Sequence, residues 1–448
     1  MSDFNDDRRA RHILVAGASG TLGRRVCAAL LRRGHRVSGL ARHLPASLVE
    51  AGVAPLIADA AGWSRPQWHA ALAGVDAVVN AIGIFEQSAD QGFEALHGHL
   101  PRALFGACED LGVALAVQVS ALGADDLADT PYHRSKRDAD HWLLEQRLPA
   151  VVVQPSLIFA PDGPSARLFL GLASLPVLPL PAGGRQPLQP IHVDDAAEAI
   201  AALLDDPLRW RGRRVALVGP APLSLSGYLQ ALRVAMGLRP AWTLQVPARL
   251  AAAGAVLAGR LPGSLLGPDS WRMLQRGNVA DASDTAALLG APPRPPERFI
   301  DPAIAPALRW RAQWRWLSWI ARLSLAFIWI FTAFVSGFVY PRADSFALLA
   351  GVGVPAAMQP VALHAAVLMD LALGLATLFA PARWRLMVWW SQAALMLFYT
   401  AVLTLFLPQF WWHPYGPLSK NLAILALLAL LIADDAARRP LRRSAWNT

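Results

Sequence analysis

Lysine is nearly absent from this chain: of 41 basic side chains only Lys136 and Lys420 are lysines, and the rest are arginines. Cysteine is equally scarce. Cys27 and Cys108 lie far apart and show no metal-ligand spacing, so the sequence predicts neither a disulfide framework nor a zinc centre. No other metal-binding pattern is found, and the N-terminal residues show no secretory signal. These absences favour a protein of a reducing compartment that works without a bound metal.

Acidic residues are scarce in one region only. Residues 1–307 hold 29 basic against 28 acidic side chains, whereas residues 308–448 hold 12 against 4. The net charge of +9 therefore belongs to the last third of the chain, and nucleic-acid binding is not predicted.

Four long apolar segments occupy the last third, near residues 320–339, 361–380, 386–407 and 417–433. Their lengths approach what is needed to cross a hydrocarbon core of roughly 30 Å, and aromatic residues cluster at their ends. We expect residues 308–448 to form an all-α bundle of four transmembrane helices in contact with the lipid bilayer. A very apolar soluble helical bundle is the alternative.

Basic residues predict the orientation of these segments. With the N-terminal region in the cytoplasm, the outer side carries only Arg342 and Lys420. The inner side carries ten arginines: Arg309, Arg311, Arg315, Arg322, Arg383, Arg385, Arg438, Arg439, Arg442 and Arg443. The positive-inside rule therefore predicts a multi-pass protein of the inner (cytoplasmic) membrane with both termini in the cytoplasm.

Polar residues also interrupt the apolar segments. His364 and Asp370 lie in the second, and Lys420 and Asn421 open the fourth. An ionisable group within a membrane is costly, and by default it indicates a functional role. The interpretation we favour here is that Asp370 only pairs with Lys420 or His364 and holds the bundle together, and no substrate role is assigned to these residues.

The first 42 residues predict a βαβ unit with a glycine-rich turn. An apolar strand at HILVAG is followed by an amphipathic helix and by a second strand at HRVSGLA. Such a turn lets the backbone approach a pyrophosphate at the helix N-terminus, although it also serves as a plain connector. The candidate cofactor residues in the turn are Gly17, Ser19, Gly20, Thr21, Leu22 and Gly23.

Arg42 stands at the end of the second strand, where an NAD-preferring site places an acidic residue. An arginine there suits a 2′-phosphate, so the sequence favours NADP(H) over NAD(H). A solvated turn arginine is the alternative.

Further apolar strands, expected at 54–60, 76–83, 114–124 and 150–161, alternate with helical patterns. This alternation predicts a parallel, doubly wound, Rossmann-like α/β sheet, whose ligands sit at the carboxyl ends of the strands. The candidate residues at those ends are Asp59, Ala60, Asn80, Gly83, Ser120, Pro155 and Ser156. Tyr132 and Lys136 follow one helical turn apart in YHRSK.

The ordered pieces GASGTLG, NAIG, VSALGA, YHRSK, QPSLIF and QPIHVDDAAEAI resemble the extended or atypical short-chain dehydrogenase/reductases over about residues 11–300. Within that family the chain looks similar to the NADPH-binding accessory subunit of respiratory complex I. The resemblance implies that Tyr132 is the catalytic acid/base and that Ser120 polarises a carbonyl. It also implies that Lys136 lowers the pKa of the tyrosine and contacts the nicotinamide ribose.

One position departs from the family. Many relatives carry an asparagine that organises a proton relay, and His97, with His99 as the alternative, stands there in this sequence. A histidine can pass protons or simply pack. We keep it as a fourth catalytic candidate.

Residues 11–164 are expected to form the dinucleotide-binding core, and residues 165–307 the remaining Rossmann elements with a small substrate cap. His192, Asp194 and Asp195 resemble a metal cluster, but an N-cap aspartate and helix packing explain them better. The four apolar segments, with HPYGPLSKNLAILALL before the last, resemble the DoxX-like membrane proteins.

Together these features predict a membrane-tethered NAD(P)H-dependent oxidoreductase that transfers a hydride to a carbonyl or quinone-like hydrophobic substrate. A membrane-bound electron-transfer partner is a further expectation. The alternative is a non-catalytic NADPH-binding assembly or redox-sensor protein, against which the intact set of Ser120, Tyr132 and Lys136 argues.

Overall fold

The computed structural model describes residues 10–87, 91–260 and 265–438. The chain divides into two compact units, Met1–Gln313 and Trp314–Thr448.

Seven strands of the first unit form one sheet, in the order β11-β6-β5-β4-β1-β2-β3 with every neighbouring pair parallel. The predicted parallel sheet is confirmed. The remaining strands form three short pairs, β7–β10, β8–β13 and β9–β12. The strands are β1 (His12–Ala16), β2 (Arg36–Ala41), β3 (Ala54–Ile57), β4 (Ala77–Asn80), β5 (Leu115–Val119), β6 (Ala150–Pro155), β7 (Ile158–Phe159), β8 (Val177–Pro181), β9 (Pro187–Leu188), β10 (Ile191–His192), β11 (Arg214–Leu217), β12 (Leu223–Ser224) and β13 (Trp242–Val246).

The first unit contains twelve complete α-helices among its described residues, and some of them cover both faces of this sheet. They are α1 (Thr21–Arg32), α2 (Ala46–Glu50), α3 (Arg65–Ala71), α4 (Leu100–Asp110), α5 (Pro131–Leu144), α6 (Pro164–Ala173), α7 (Val193–Leu203), α8 (Pro207–Trp210), α9 (Leu225–Ala235), α10 (Ala248–Ala258), α11 (Pro268–Arg276) and α12 (Ser283–Leu289). Because side chains alternate along a strand, Ile13 and Val15 pack with α1, α7 and α12, whereas Leu14 and Ala16 pack with α3, α4 and α5. A separate core lies between α6 and α9, in the region that we expect to form the cap.

The helices of the last third are α13 (Ala305–Phe334), α14 (Arg342–Gly351), α15 (Gln359–Phe379), α16 (Ala382–Phe406) and α17 (Ser419–Ala437). Three stretches are long and apolar enough to cross a membrane: 305–339, 356–379 and 382–406. The fourth expected segment falls on α17, which holds three charged residues, Lys420, Asp434 and Asp435, in its 19 positions. Arg439, Arg442 and Arg443 lie outside the described residues.

The expected pairing of Asp370 is wrong. Asp370 is buried, and its Oδ1 has no hydrogen-bond partner in the described part of the chain. His364 bonds instead to the Pro360 carbonyl, and Lys420 is exposed. A polar chain connects the neighbouring helices, in which Trp329 donates to Gln392 and Gln392 donates to Thr377.

The predicted N-cap aspartate before α7 is also wrong. His192 is the N-cap residue, and its Nδ1 accepts from the Asp194 backbone N–H at 3.2 Å. Asp195 forms an ion pair with Arg294 instead. The cluster serves helix capping and packing.

Candidate functional site

The order of the sheet creates a crevice at the carboxyl ends of β1 and β4. The chain leaves β1 toward β2 and β3 on one side, whereas β4, β5 and β6 lie on the other, so the helices diverge at this point. A pocket of about 210 Å³ opens there. Among its lining residues are seven of the candidates: Gly17, Ser19, Gly20, Arg42, Asp59, Ala60 and Gly83.

The glycine turn fits the backbone of a phosphate-binding loop. Gly17 has a φ of +82°, and a Cβ there would lie 2.9 Å from the Ala81 carbonyl, so other residues are excluded. A Cβ on Gly23 would lie 2.1 Å from the Gly17 oxygen, so Gly23 allows α1 to pack on the turn and does not face the pocket.

The N-terminus of α1 is free to bind an anion. Gly20 is its N-cap, no side chain caps its backbone N–H groups, and its first turn holds no acidic residue. Unpaired N–H groups and the helix dipole favour a pyrophosphate at this point. Thr21 and Leu22 open the helix, and the Leu22 side chain packs against the core, so these two residues offer backbone N–H groups.

Arg42 reaches the same pocket from the end of β2, together with Gln91. With its amide oxygen turned toward Arg42, Gln91 accepts hydrogen bonds from both terminal guanidinium nitrogens, at 2.5 and 3.2 Å. Sequence reasoning did not find Gln91, because it lies in a long loop far along the chain from Arg42.

Helix α5 aligns three chemically active side chains. Thr130 caps its first turn through the His133 N–H, and Pro131 occupies the first helical position. Tyr132, Lys136 and Asp140 follow at intervals of four residues and therefore share one face. Lys136 is buried, and its Nζ donates to the Val119 carbonyl at 3.0 Å.

Lys136 also lies beside the cofactor pocket. A Cβ on Gly83 would lie 3.1 Å from Nζ, so the ammonium group closely approaches this glycine. Burial lowers the pKa of Lys136 to about 8, against the opposing effect of Asp140.

Asp140 is the principal site residue that sequence reasoning missed. It is fully buried, and its Oδ2 accepts from Ser120 Oγ at 2.5 Å and from Gln154 Nε2 at 3.4 Å. Its Oδ1 has no partner among the described residues. Burial raises the pKa of Asp140 to about 7, although Ser120, Lys136 and Gln154 each act to lower it. The signal was present in the sequence, since Asp140 continues the spacing of Tyr132 and Lys136.

The expected lowering of the tyrosine pKa is not found. Burial, aided by Asp140, raises the pKa of Tyr132 to about 12. The Tyr132 ring lies among aromatic neighbours, with Phe85 at 5.2 Å and His97 at 5.8 Å between ring centroids. Tyr132 therefore holds its proton firmly at neutral pH.

Both ring nitrogens of His97 are engaged. The Ile84 N–H donates to Nε2 at 3.2 Å, so Nδ1 carries the hydrogen and donates to Ser135 Oγ at 2.9 Å. Ser135 in turn donates to the Tyr132 carbonyl. Burial, and secondarily Lys136, lowers the pKa of His97 to about 3. His97 is thus a neutral link between the loop after β4 and α5, an arrangement that favours packing over proton transfer.

Three other candidates lie outside the pocket lining. Asn80 donates to Gln118 and accepts from the Ile82 N–H, which shapes the turn after β4. Pro155 ends β6, and the Ser156 hydroxyl donates to the Gln189 carbonyl at 2.6 Å. Their side chains support the strand ends that bound the site.

Two family models match the chain. Residues 17–207 match the NAD(P)H-binding family, and residues 326–429 match the DoxX-like family. Subunit 9 of the NADH dehydrogenase [ubiquinone] 1 alpha subcomplex, a mitochondrial protein, is 28% identical over 215 residues in Arabidopsis thaliana and 26% in Mus musculus. Each alignment covers 46% of this chain, and the chain spans 53% and 56% of the respective relatives.

Solved structures share the fold of the first unit. A nucleoside-diphosphate-sugar epimerase from Staphylococcus aureus is 20% identical with a TM-score of 0.52, covering 64% of this chain and 99% of its own. An NADPH-dependent quinone oxidoreductase from Escherichia coli, solved with NADPH, is 20% identical with a TM-score of 0.51, covering 64% and 97%. At this identity the likeness concerns the fold alone. The chain therefore joins an N-terminal NAD(P)H-binding domain, with the fold of the solved structures above, to a C-terminal DoxX-like domain with three helices apolar enough to cross a membrane.

Proposed function

We propose that this protein is a membrane-tethered oxidoreductase that reduces a hydrophobic carbonyl or quinone-like substrate with NAD(P)H. The observation that carries the proposal is the alignment of Tyr132, Lys136 and Asp140 on one face of α5, with Ser120 bonded to Asp140 and Lys136 beside Gly83 of the cofactor pocket. A purely structural helix face has no need for three such groups beside a serine, with Lys136, Asp140 and Ser120 all buried.

Tyr132 is protonated at neutral pH, as a general acid in the reductive direction must be, so it can donate a proton to the substrate oxygen as negative charge develops there. Burial raises its pKa to about 12, which makes it a weaker acid than a free phenol, so the donation depends on the charge that develops on the substrate. Ser120 would orient the same oxygen, and Lys136 would hold the nicotinamide ribose at Gly83. Bound NAD(P)H would supply the hydride.

Arg42 supports NADP(H) as the preferred cofactor, because it lines the pocket at the end of β2, where an NAD-preferring site places an acidic residue. The charge bias of the apolar segments supports the inner (cytoplasmic) membrane, with the NAD(P)H-binding domain in the cytoplasm. A membrane anchor suits a substrate that dissolves in lipid, and a membrane-bound electron-transfer partner fits the same arrangement.

A non-catalytic role is the second candidate. The curated relatives are named as subunits of a larger dehydrogenase, which favours an NADPH-binding assembly or redox-sensor protein. In that case the pocket would bind the cofactor, and the α5 side chains would only pack.

The test is reduction of a short-chain benzoquinone by the full-length protein in detergent, followed as NADPH consumption. Tyr132→Phe should lower turnover about 10²- to 10⁴-fold, the usual contribution of a general acid, while NADPH binding is retained. Lys136→Arg should also lose most turnover, because a planar guanidinium fork does not fit where Gly83 approaches the compact ammonium.

Tyr415→Phe provides the matched control, since Tyr415 is exposed in the other unit. Wild-type turnover in Tyr132→Phe would contradict the acid role. NADPH binding without any reduction, in the wild type and across carbonyl and quinone surrogates, would favour the assembly or sensor role.

A further inference from the structure

The segment that includes β13 and α10 presents an exposed apolar surface, which we call the apolar ledge. Its large side chains are strongly exposed, from 50% for Val256 to 84% for Trp242. The ledge consists of Trp242, Leu244, Leu250, Val256 and Leu257. Soluble domains scatter single apolar residues over their surface, whereas a contiguous group of this size marks a contact surface.

The ledge is continuous in sequence, and its strand lies beside a further exposed apolar residue. In β13 Trp242 pairs with Val177 of β8, which is itself 44% exposed. Helix α10 begins two residues after β13 ends. Leu178 and Leu180 of β8 belong to the cap core, so the ledge lies on the substrate cap.

The length and exposure of α10 exclude two ordinary roles for an apolar helix. Its 11 residues, ARLAAAGAVLA, extend only about 16 Å, which is too short to cross a bilayer. None of its residues is buried against the described part of the chain, so it is not a core helix. An apolar helix of this length that neither spans nor packs in a core fits the interface of a membrane.

Charge around the ledge favours a bilayer as the occupant. Residues 239–260 contain Arg239, Arg249 and Arg260 and no acidic residue. All three arginines are exposed, and none forms an ion pair within the described ranges. Basic residues beside a tryptophan and leucines match anionic headgroups above acyl chains. The same chain also carries a DoxX-like domain with helices apolar enough to cross a membrane, so residues 239–260 are covalently linked to a membrane domain.

We propose that residues 239–260 form an interfacial membrane-binding element, with Leu250 and Leu257 in the acyl boundary and the arginines among anionic lipid headgroups. The substrate cap then touches the lipid phase directly. If the proposed reductase activity holds, a lipid-soluble substrate reaches the cap without crossing water.

Spin labels can measure this contact in the full-length protein. Leu250→Cys and Leu257→Cys are labelled and reconstituted into nanodiscs containing phosphatidylglycerol, and collisions with oxygen and with a water-soluble nickel chelate are compared. We expect strong oxygen and weak nickel collisions at both positions. Cys27 and Cys108 are fully buried, and burial raises the pKa of each thiol to about 12, so the label goes to the introduced cysteine.

Leu127→Cys and Leu208→Cys are matched controls, because these leucines are 80% and 75% exposed elsewhere on the same unit. Nickel collisions at 250 and 257 equal to those at the controls would overturn the proposal. Shielding from both reagents would mean that protein covers the ledge, such as a second copy of the chain, and would overturn it too. Replacing the three arginines with glutamine should increase nickel collisions at 257.

Activity measurements test separately whether the substrate reaches the cap through the lipid phase. Leu250→Gln with Leu257→Gln should slow reduction of a long-tailed quinone in nanodiscs and leave a short-tailed, water-soluble quinone unaffected. If the variant and the wild type reduced the long-tailed quinone at equal rates, the proposal that the substrate enters the cap from the membrane would be wrong. If the wild type reduces neither quinone, the proposed reductase is wrong, whereas the label collisions still decide whether the ledge enters the membrane.

Discussion

At the scale of single residues, Asp140 makes the site sensitive to pH. Its folded-state pKa of about 7 lies above the ordinary value of 3.8, so between these pH values the folded chain keeps a proton that the unfolded chain has released. The contribution of Asp140 to stability therefore falls as pH rises from about 4 to about 7, and it is constant above. Three pKa units correspond to about 4 kcal/mol.

Asp140→Asn cannot titrate, but its amide can still bond to Ser120 and Gln154. We expect the melting temperature of this variant, relative to the wild type, to increase between pH 4 and pH 7 and then to level off. Asp138→Asn, on the exposed side of the same helix, is the control for replacing a carboxylate of α5 by an amide. A constant difference for Asp140→Asn over the whole range would mean that Asp140 is ionised in the folded protein.

Arg42 is the residue on which the proposed preference for NADP(H) depends, at the same scale. The charge-assisted hydrogen bonds to a 2′-phosphate contribute about 1.5–3 kcal/mol. Arg42→Ala should therefore weaken NADPH binding roughly tenfold to a hundredfold and leave NADH binding nearly unchanged, as measured by titration of cofactor fluorescence. Arg36→Ala, at the opposite end of β2, is the control and should affect neither cofactor. Equal losses for both cofactors in Arg42→Ala would show that the arginine is structural.

At the scale of elements, the sequence predicted the strands, turns and helix faces that depend mainly on neighbouring residues. The apolar runs gave β1, β4, β5 and β6, because a strand buried on both faces needs apolar residues throughout. The Gly-rich turn and the start of α1 followed from backbone sterics. The spacing in YHRSK placed two side chains on one face of α5.

Features that depend on tertiary contacts were not visible in the sequence. The raised pKa of Tyr132 comes from burial among side chains that are distant in the chain, such as Phe85. The engagement of His97 by the Ile84 N–H depends on how the loop after β4 meets the next helix. The exposure of α10 was equally hidden, since its apolar composition alone also suits a buried helix.

At the scale of the whole molecule, the fourth apolar helix decides which side of the membrane the C-terminus occupies. Three crossings would separate it from the NAD(P)H-binding domain, whereas four would return it to the same side. The charged residues of α17 argue against a crossing, but its contacts argue for one. Asn421 donates to Thr400 at 2.8 Å, and Trp389 donates to Asp435 at 2.7 Å, so α17 runs antiparallel along α16.

These two contacts lie 14 residues apart on α17, about 21 Å of helix, so α17 reaches through most of the depth that α16 crosses. We therefore expect a reporter that is active only in the cytoplasm to be active when fused after Thr448 and silent when inserted near Gly351. A reporter active only outside the cytoplasm should give the reverse pattern at both positions, which controls for expression. Silence at both positions would mean that α17 lies on the membrane without crossing. Activity at Gly351 with silence at Thr448 would invert the orientation and place the NAD(P)H-binding domain outside the cytoplasm, away from its cofactor.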